Sequence, residues 1–168
     1  MALQYNDIDF MKAIKLSFIL LFTTLGCVTN YDTKEKVSAG VTVNYDSFRG
    51  TTKYVGPSNY FDGASYYFLR GWSNSNEAQL YVRTYNGYWH FFNSATDNNQ
   101  NDLELHVIAE EVDSNAMLIE QFGIDLPKEY LRSHLNTGIT VKAYGKGGSV
   151  VVHVPPYYVE AFYQKAFN

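Results

Sequence analysis

The chain has a single cysteine, Cys27, among its 168 residues, so it cannot form an internal disulfide. Charge is sparse as well. Asp, Glu, Lys and Arg together make 18% of the chain, with 13 basic against 17 acidic residues and a formal net charge of −4. The basic residues form no block, which argues against nucleic acid as a partner. Long apolar runs are absent too. The run over residues 16–26 has 11 residues, spanning about 16 Å as a helix, roughly half a bilayer's hydrocarbon core. That is too short for a standing transmembrane helix. No Gly-x-Ser-x-Gly, Walker spacing or HxxxH pair is present, so no nucleophile is credible and no cofactor is indicated. What the chain does hold is aromatics: 15 Tyr, 11 Phe and 2 Trp. That composition is too apolar for a disordered protein.

The apolar run has a recognisable setting. Lys12 and Lys15 precede it, and Gly26-Cys27 close it. Basic residues followed by a short apolar segment are the order of a bacterial export signal. At Cys27 the stretch resembles a bacterial lipoprotein signal, in which a small residue precedes an obligatory cysteine. That cysteine is lipidated and becomes the new N-terminus. Gly26 and Cys27 match these positions; Thr24 departs from the Leu preferred there. The resemblance implies lipidation at Cys27 and a lipid bilayer as partner. With Val28 rather than Asp next, it also implies the outer membrane of the cell envelope. The rival reading is ordinary secretion or a periplasmic location, with a cut near Thr24-Leu25-Gly26 or after Ala39. Cysteine economy favours lipidation, because a lone exposed thiol is awkward in an oxidising compartment. Residues 1–10 carry Asp7 and Asp9 and no basic residue, which suggests a mis-set start and a true signal over 11–26. Residues 27–38 are expected to be a tether and 39–168 a single domain.

The domain reads as antiparallel strands. Val41, Val43 and Tyr45 alternate with polar neighbours, and residues 64–72 form a dense apolar-aromatic run. Asn86-Gly87 predicts a two-residue hairpin within 79–93. Its register would place Leu80, Val82, Trp89 and Phe91 on the core face. Tyr81, Arg83, Tyr85, Tyr88, His90 and Phe92 would then share the opposite face as a binding patch, since aromatics make flat platforms for sugars or peptides. A second hairpin should pair Val107 with Phe122 and Leu105 with Ile124, leaving Val112 opposite Met117. A third, over 139–154, turns at Gly145-Lys146-Gly147-Gly148. Two short helices are expected, about 126–136, capped by Asp125 and ended by Gly138, and about 155–167, with Val159, Phe162, Tyr163 and Ala166 on one stripe. The expected fold is therefore mainly β: an antiparallel β-sandwich, or a strongly twisted antiparallel sheet with the two helices at an edge.

Asp102, Glu104 and His106 recur at every second residue, so on one strand they share a face, with Asp125 drawn near by the hairpin register. Such a set suits a divalent metal, although the same alternation marks any half-exposed strand. Three readings of function follow. One is an envelope lipoprotein whose domain binds an envelope protein or a glycan without catalysis. Another is a secreted or envelope metal-assisted hydrolase using Asp102, Glu104 and His106. The third is a structural or inhibitory accessory protein that caps another envelope protein through an exposed sheet edge.

Overall fold

The computed structural model of the chain describes residues 31–168. The readings of start, signal, lipidation and a cut near Thr24-Leu25-Gly26 fall outside the described residues, whereas the alternative cut after Ala39 falls in the helix Lys34–Gly40. The domain is mainly β with antiparallel sheets, as the alternation predicted. Its strands are β1 (Thr42–Asp46), β2 (Thr51–Val55), β3 (Asn59–Asp62), β4 (Ser65–Trp72), β5 (Glu77–Asn86), β6 (Phe92–Asp97), β7 (Asp102–Leu103), β8 (Leu105–Val112), β9 (Leu118–Pro127), β10 (Ile139–Gly145) and β11 (Gly148–Val154). Its helices are α1 (Lys34–Gly40), α2 (Lys128–Ser133) and α3 (Pro156–Phe167). The large sheet runs β1-β2-β4-β5-β9-β8, with β3 beside β4, and the small one runs β11-β10-β6-β7.

One core lies between the sheets and under the helices. Period-2 alternation aims Tyr67 and Leu69 of β4, Leu80 and Val82 of β5, and Phe122, Ile124 and Leu126 of β9 into it. The small sheet answers with Phe92, Ala95, Ile139, Val141, Val152 and Val154. α3 lays Val159, Phe162, Tyr163 and Ala166 against this core, as its spacing predicted, and adds Tyr158 and Ala161. Full burial of each large side chain contributes about 1.5–3 kcal/mol. The Tyr158 hydroxyl donates to Pro57 O at 2.6 Å, tying α3 to the irregular link between β2 and β3.

Two hairpin registers follow the sequence reading. Val107 pairs with Phe122 and Leu105 with Ile124. A bulge at Ile108 then shifts the pairing by one, so Val112 meets Leu118 rather than Met117. Ile139 pairs with Val154 and Val141 with Val152. The expected 126–136 helix is shorter, Lys128–Ser133, and Pro127 rather than Asp125 stands at its N-cap, because Asp125 remains in β9. Gly138, expected to end the helix, lies five residues past it; at φ +72 it closes the turn that follows, its N–H donating to His134 O at 2.9 Å. Residues 34–38, read as part of a tether, instead belong to α1. Thr33 caps that helix, and Val37 is fully buried in the core.

The Asn86-Gly87 hairpin does not form. β5 pairs with β4 on one side and β9 on the other, through Asn86 opposite Leu118. Residues 87–91 then cross to the small sheet. Gly87 does not adopt the left-handed backbone that a type I′ turn requires; Phe91 does, at φ +54. Glu120 holds this crossing. It occupies a core-facing position of β9, is 2% exposed, and accepts hydrogen bonds from the backbone N–H groups of His90 (2.9 Å) and Phe91 (2.6 Å). The 145–148 turn packs against the same segment. Its glycines serve close approach rather than positive φ: a Cβ on Gly147 would lie 2.1 Å from Trp89 O.

Candidate functional site

The six residues of the expected patch separate into two groups. Tyr81, Arg83 and Tyr85 sit on β5, on the large sheet's face away from the core. Tyr88, His90 and Phe92 belong to the crossing and the start of β6. Their rings stack in sequence, Tyr88 on His90 at 4.8 Å and His90 on Phe92 at 5.1 Å, ending against Phe122 in the core. Phe92 is buried. The expected core residue Phe91 is 45% exposed. The second group is therefore mostly a structural stack, fixed by Glu120.

The first group is joined by residues that the sequence reading did not single out. Alternation along β4 sends Tyr66, Phe68, Arg70 and Trp72 to the outer face, opposite Tyr67 and Leu69. Cross-strand pairing sets Phe68 beside Tyr81 and Tyr66 beside Arg83. Phe68 and Tyr81 stack with ring centres 4.4 Å apart, Tyr66 stacks on Tyr81 at 6.4 Å, and Tyr60 meets Tyr66 edge-on at 5.7 Å. The Arg70 guanidinium lies 5.3 Å from the Tyr81 ring centre and 5.8 Å from that of Trp72. Lys53 of β2 approaches the same indole at 6.0 Å. Arg83 stacks on Tyr85 at 5.3 Å and reaches Glu111 at 3.4 Å. The signal was present in the period-2 run at 65–72, but its two faces could be assigned only once β5 was known to lie beside it.

Electrostatics on this face are set by partial burial and by like charge. Burial, and then the charge of Arg70, push the Lys53 pKa down. Burial also lowers that of Arg70, against the pull of Tyr81 and Asp125. Burial raises that of Tyr81. Arg70 donates from Nε to Gln79 Oε1 at 2.8 Å and again from Nη2. Gln79 in turn donates to Asp125 Oδ1 at 2.7 Å.

That row leads to the second cluster. His106 Nε2 lies 2.9 Å from Asp125 Oδ2 and 3.5 Å from Glu104 Oε1. One donor atom from each of Glu104, His106 and Asp125 falls within 4.8 Å of the others. The hydrogen bond to Asp125, its charge, and that of Glu104 raise the His106 pKa against a small burial effect. The sequence had Asp102, Glu104 and His106 on one strand face. The structure corrects this: Asp102 lies in β7 of the small sheet, His106 in β8 of the large one, and the chain changes sheets at Glu104. Asp102 lines an adjoining pocket of about 380 Å³, together with Glu77, Glu104, Asp125, Asn101 and Tyr130. Chemically the trio is an imidazole set between two carboxylates, which suits a protonated ring or a divalent cation with N and O donors. Tyr130 donates to Asp97 Oδ2 at 3.1 Å, and burial together with that carboxylate drives its pKa up.

No family model matches the chain, and no curated protein is similar to it.

Proposed function

We propose that the protein is an envelope lipoprotein, anchored in the outer membrane through acylated Cys27, whose β-rich domain binds a partner through the outer face of its large sheet without catalysing a reaction. The observation that carries the binding role is that face. Its rings and cations are gathered by four strands and stand outside the core cluster, which the opposite face supplies. Aromatic residues with cationic edges offer stacking area at low entropic cost, as envelope glycans or proteins require. The anchor rests on the only cysteine of the chain, set directly behind a short apolar run.

Metabolic labelling with a palmitate analogue in the native host tests the anchor. Labelled wild type and an unlabelled Cys27→Ser variant are expected; an unlabelled wild type refutes it. A second reading, a metal-assisted hydrolase, is favoured by the convergence of Glu104, His106 and Asp125 beside the pocket, with Asp102 at its wall. Calorimetric titration with Zn²⁺ distinguishes it. Stoichiometric binding lost in His106→Ala supports the hydrolase, and the absence of binding removes it.

A further inference from the structure

The outer face has a local charge imbalance at one end. Register pairs Lys53 with Trp72 and Val55 with Arg70, so the two cations flank one indole. Among the described residues neither cation has a carboxylate within ion-pair distance. Arg70 donates from Nε and Nη2 to the neutral Gln79, and the Lys53 ammonium lies 6.0 Å from the indole centre. The charge of Arg70 also bears on the Lys53 ammonium. Elsewhere on the same sheet, Arg83 has Glu111 and His106 has Asp125. In a chain of net charge −4, two neighbouring cations near one indole, neither in an ion pair and only Arg70 under the influence of a carboxylate, Asp125, reached through Gln79, form a spot complementary to an anion.

We infer that this end of the face binds an acidic glycan, a sugar chain bearing hexuronate carboxylates; the inference rests on the reading of the face as a binding surface. Each part has a matching chemistry. The half-buried Trp72 indole and the Phe68 ring, which is backed by the buried Tyr81, present flat apolar surfaces to the C–H faces of sugar rings. Arg70 offers the Nη1/Nη2 edge of its guanidinium, the Nε edge being held by Gln79, and Lys53 a compact charge to a carboxylate. Gln79, which already positions Arg70, leaves that edge fixed before a ligand arrives. The ligand is a single chain lying flat on an open sheet face.

The test uses the full chain in detergent, titrated by calorimetry with an oligogalacturonate and with a neutral galactose oligomer of equal length, while tryptophan fluorescence is followed. Binding of the acidic chain is expected to be at least tenfold tighter than of the neutral one. It should weaken at least tenfold in Lys53→Gln, a change at a partly exposed site that leaves the Arg70–Gln79–Asp125 row intact, and in Trp72→Ala. Equal affinity for both chains, weakened by Trp72→Ala but not by Lys53→Gln, overturns the acidic-sugar inference and leaves the binding face standing. Acidic-chain binding indifferent to Trp72→Ala and to Lys53→Gln overturns both. No binding of either chain overturns the inference, and capture of an acidic protein weakened by Trp72→Ala would then show that the face serves another partner.

Discussion

Glu120 offers the sharpest test of how this fold is held. Its carboxylate is 2% exposed and accepts from His90 N, Phe91 N and, at 3.4 Å, Asn86 Nδ2. The segment it holds contains Phe91 in a left-handed conformation, which costs a non-glycine residue roughly 1–2 kcal/mol. Glu120→Ala leaves two backbone donors without their acceptor, at about 1–3 kcal/mol each. Relief of the buried carboxylate's own desolvation, itself several kcal/mol, offsets part of this. The net expectation is a loss of about 2–4 kcal/mol. Glu120→Gln keeps one acceptor oxygen and should lose about half as much. Phe91→Gly removes the backbone strain, so Glu120→Ala no longer releases it and the loss in that background should grow by about 1 kcal/mol. Urea unfolding followed by tryptophan fluorescence gives all three values, and hydrogen exchange at the His90 and Phe91 amides localises the effect. A Glu120→Ala protein within about 0.5 kcal/mol of wild type, with both amides still protected, refutes the claim that this carboxylate fixes the crossing.

Gly147→Ala should cost about 1–3 kcal/mol through overpacking, because the new Cβ falls 2.1 Å from Trp89 O; a thermal melt unchanged from wild type contradicts that contact. Asp97 is 5% exposed and receives hydrogen bonds from Asn99 N, Asn101 N, Asn101 Nδ2 and Tyr130 Oη. Burial works to raise its pKa, but these donors outweigh it and hold the value below 3.8. The stabilisation is therefore present above pH 3.8 and lost as pH falls through the folded pKa. Asp97→Ala should lower the urea midpoint at pH 7, with a gap from wild type that narrows below pH 3.8; a constant gap is the contrary result. The hydrogen bond to Asp125 raises the His106 pKa above 6.5, so its small contribution is complete below pH 6.5 and disappears as pH rises through the folded value. In chelator-treated buffer, an NMR titration of His106 should move back towards 6.5 in Asp125→Asn, and identical curves for the two proteins exclude the pairing.

The sequence was most informative where apolar alternation met a buried face. Leu105–Ile124 was legible because a one-residue slip would have turned the core side chains of β9 outward, Val107–Phe122 followed in the same register although Val107 itself is exposed, and the 139–154 hairpin was fixed by burial likewise. The Ile108 bulge was invisible, since β8 is an edge strand with Val107, Ile108 and Val112 exposed, so burial fixes no register there. Asn86-Gly87 misled because turn chemistry is local, whereas β5 is claimed on both edges by strands far along the chain. The contrary sign was Glu120, an acid at a position of core parity between Ile119 and Phe122. Helix α1 escaped because a seven-residue helix with one buried residue, Val37, has no periodicity to read. Half of the aromatic patch was found from β5 alone; the β4 half needed the sheet order.

The most direct test of the account as a whole is the intact mass of the protein isolated from the membranes of its native host. The account predicts a polypeptide that begins at Cys27 and carries a diacylglyceryl thioether, with a further acyl chain on the new amino group. A chain that begins at any other residue, or that retains Cys27 as a free thiol, contradicts it.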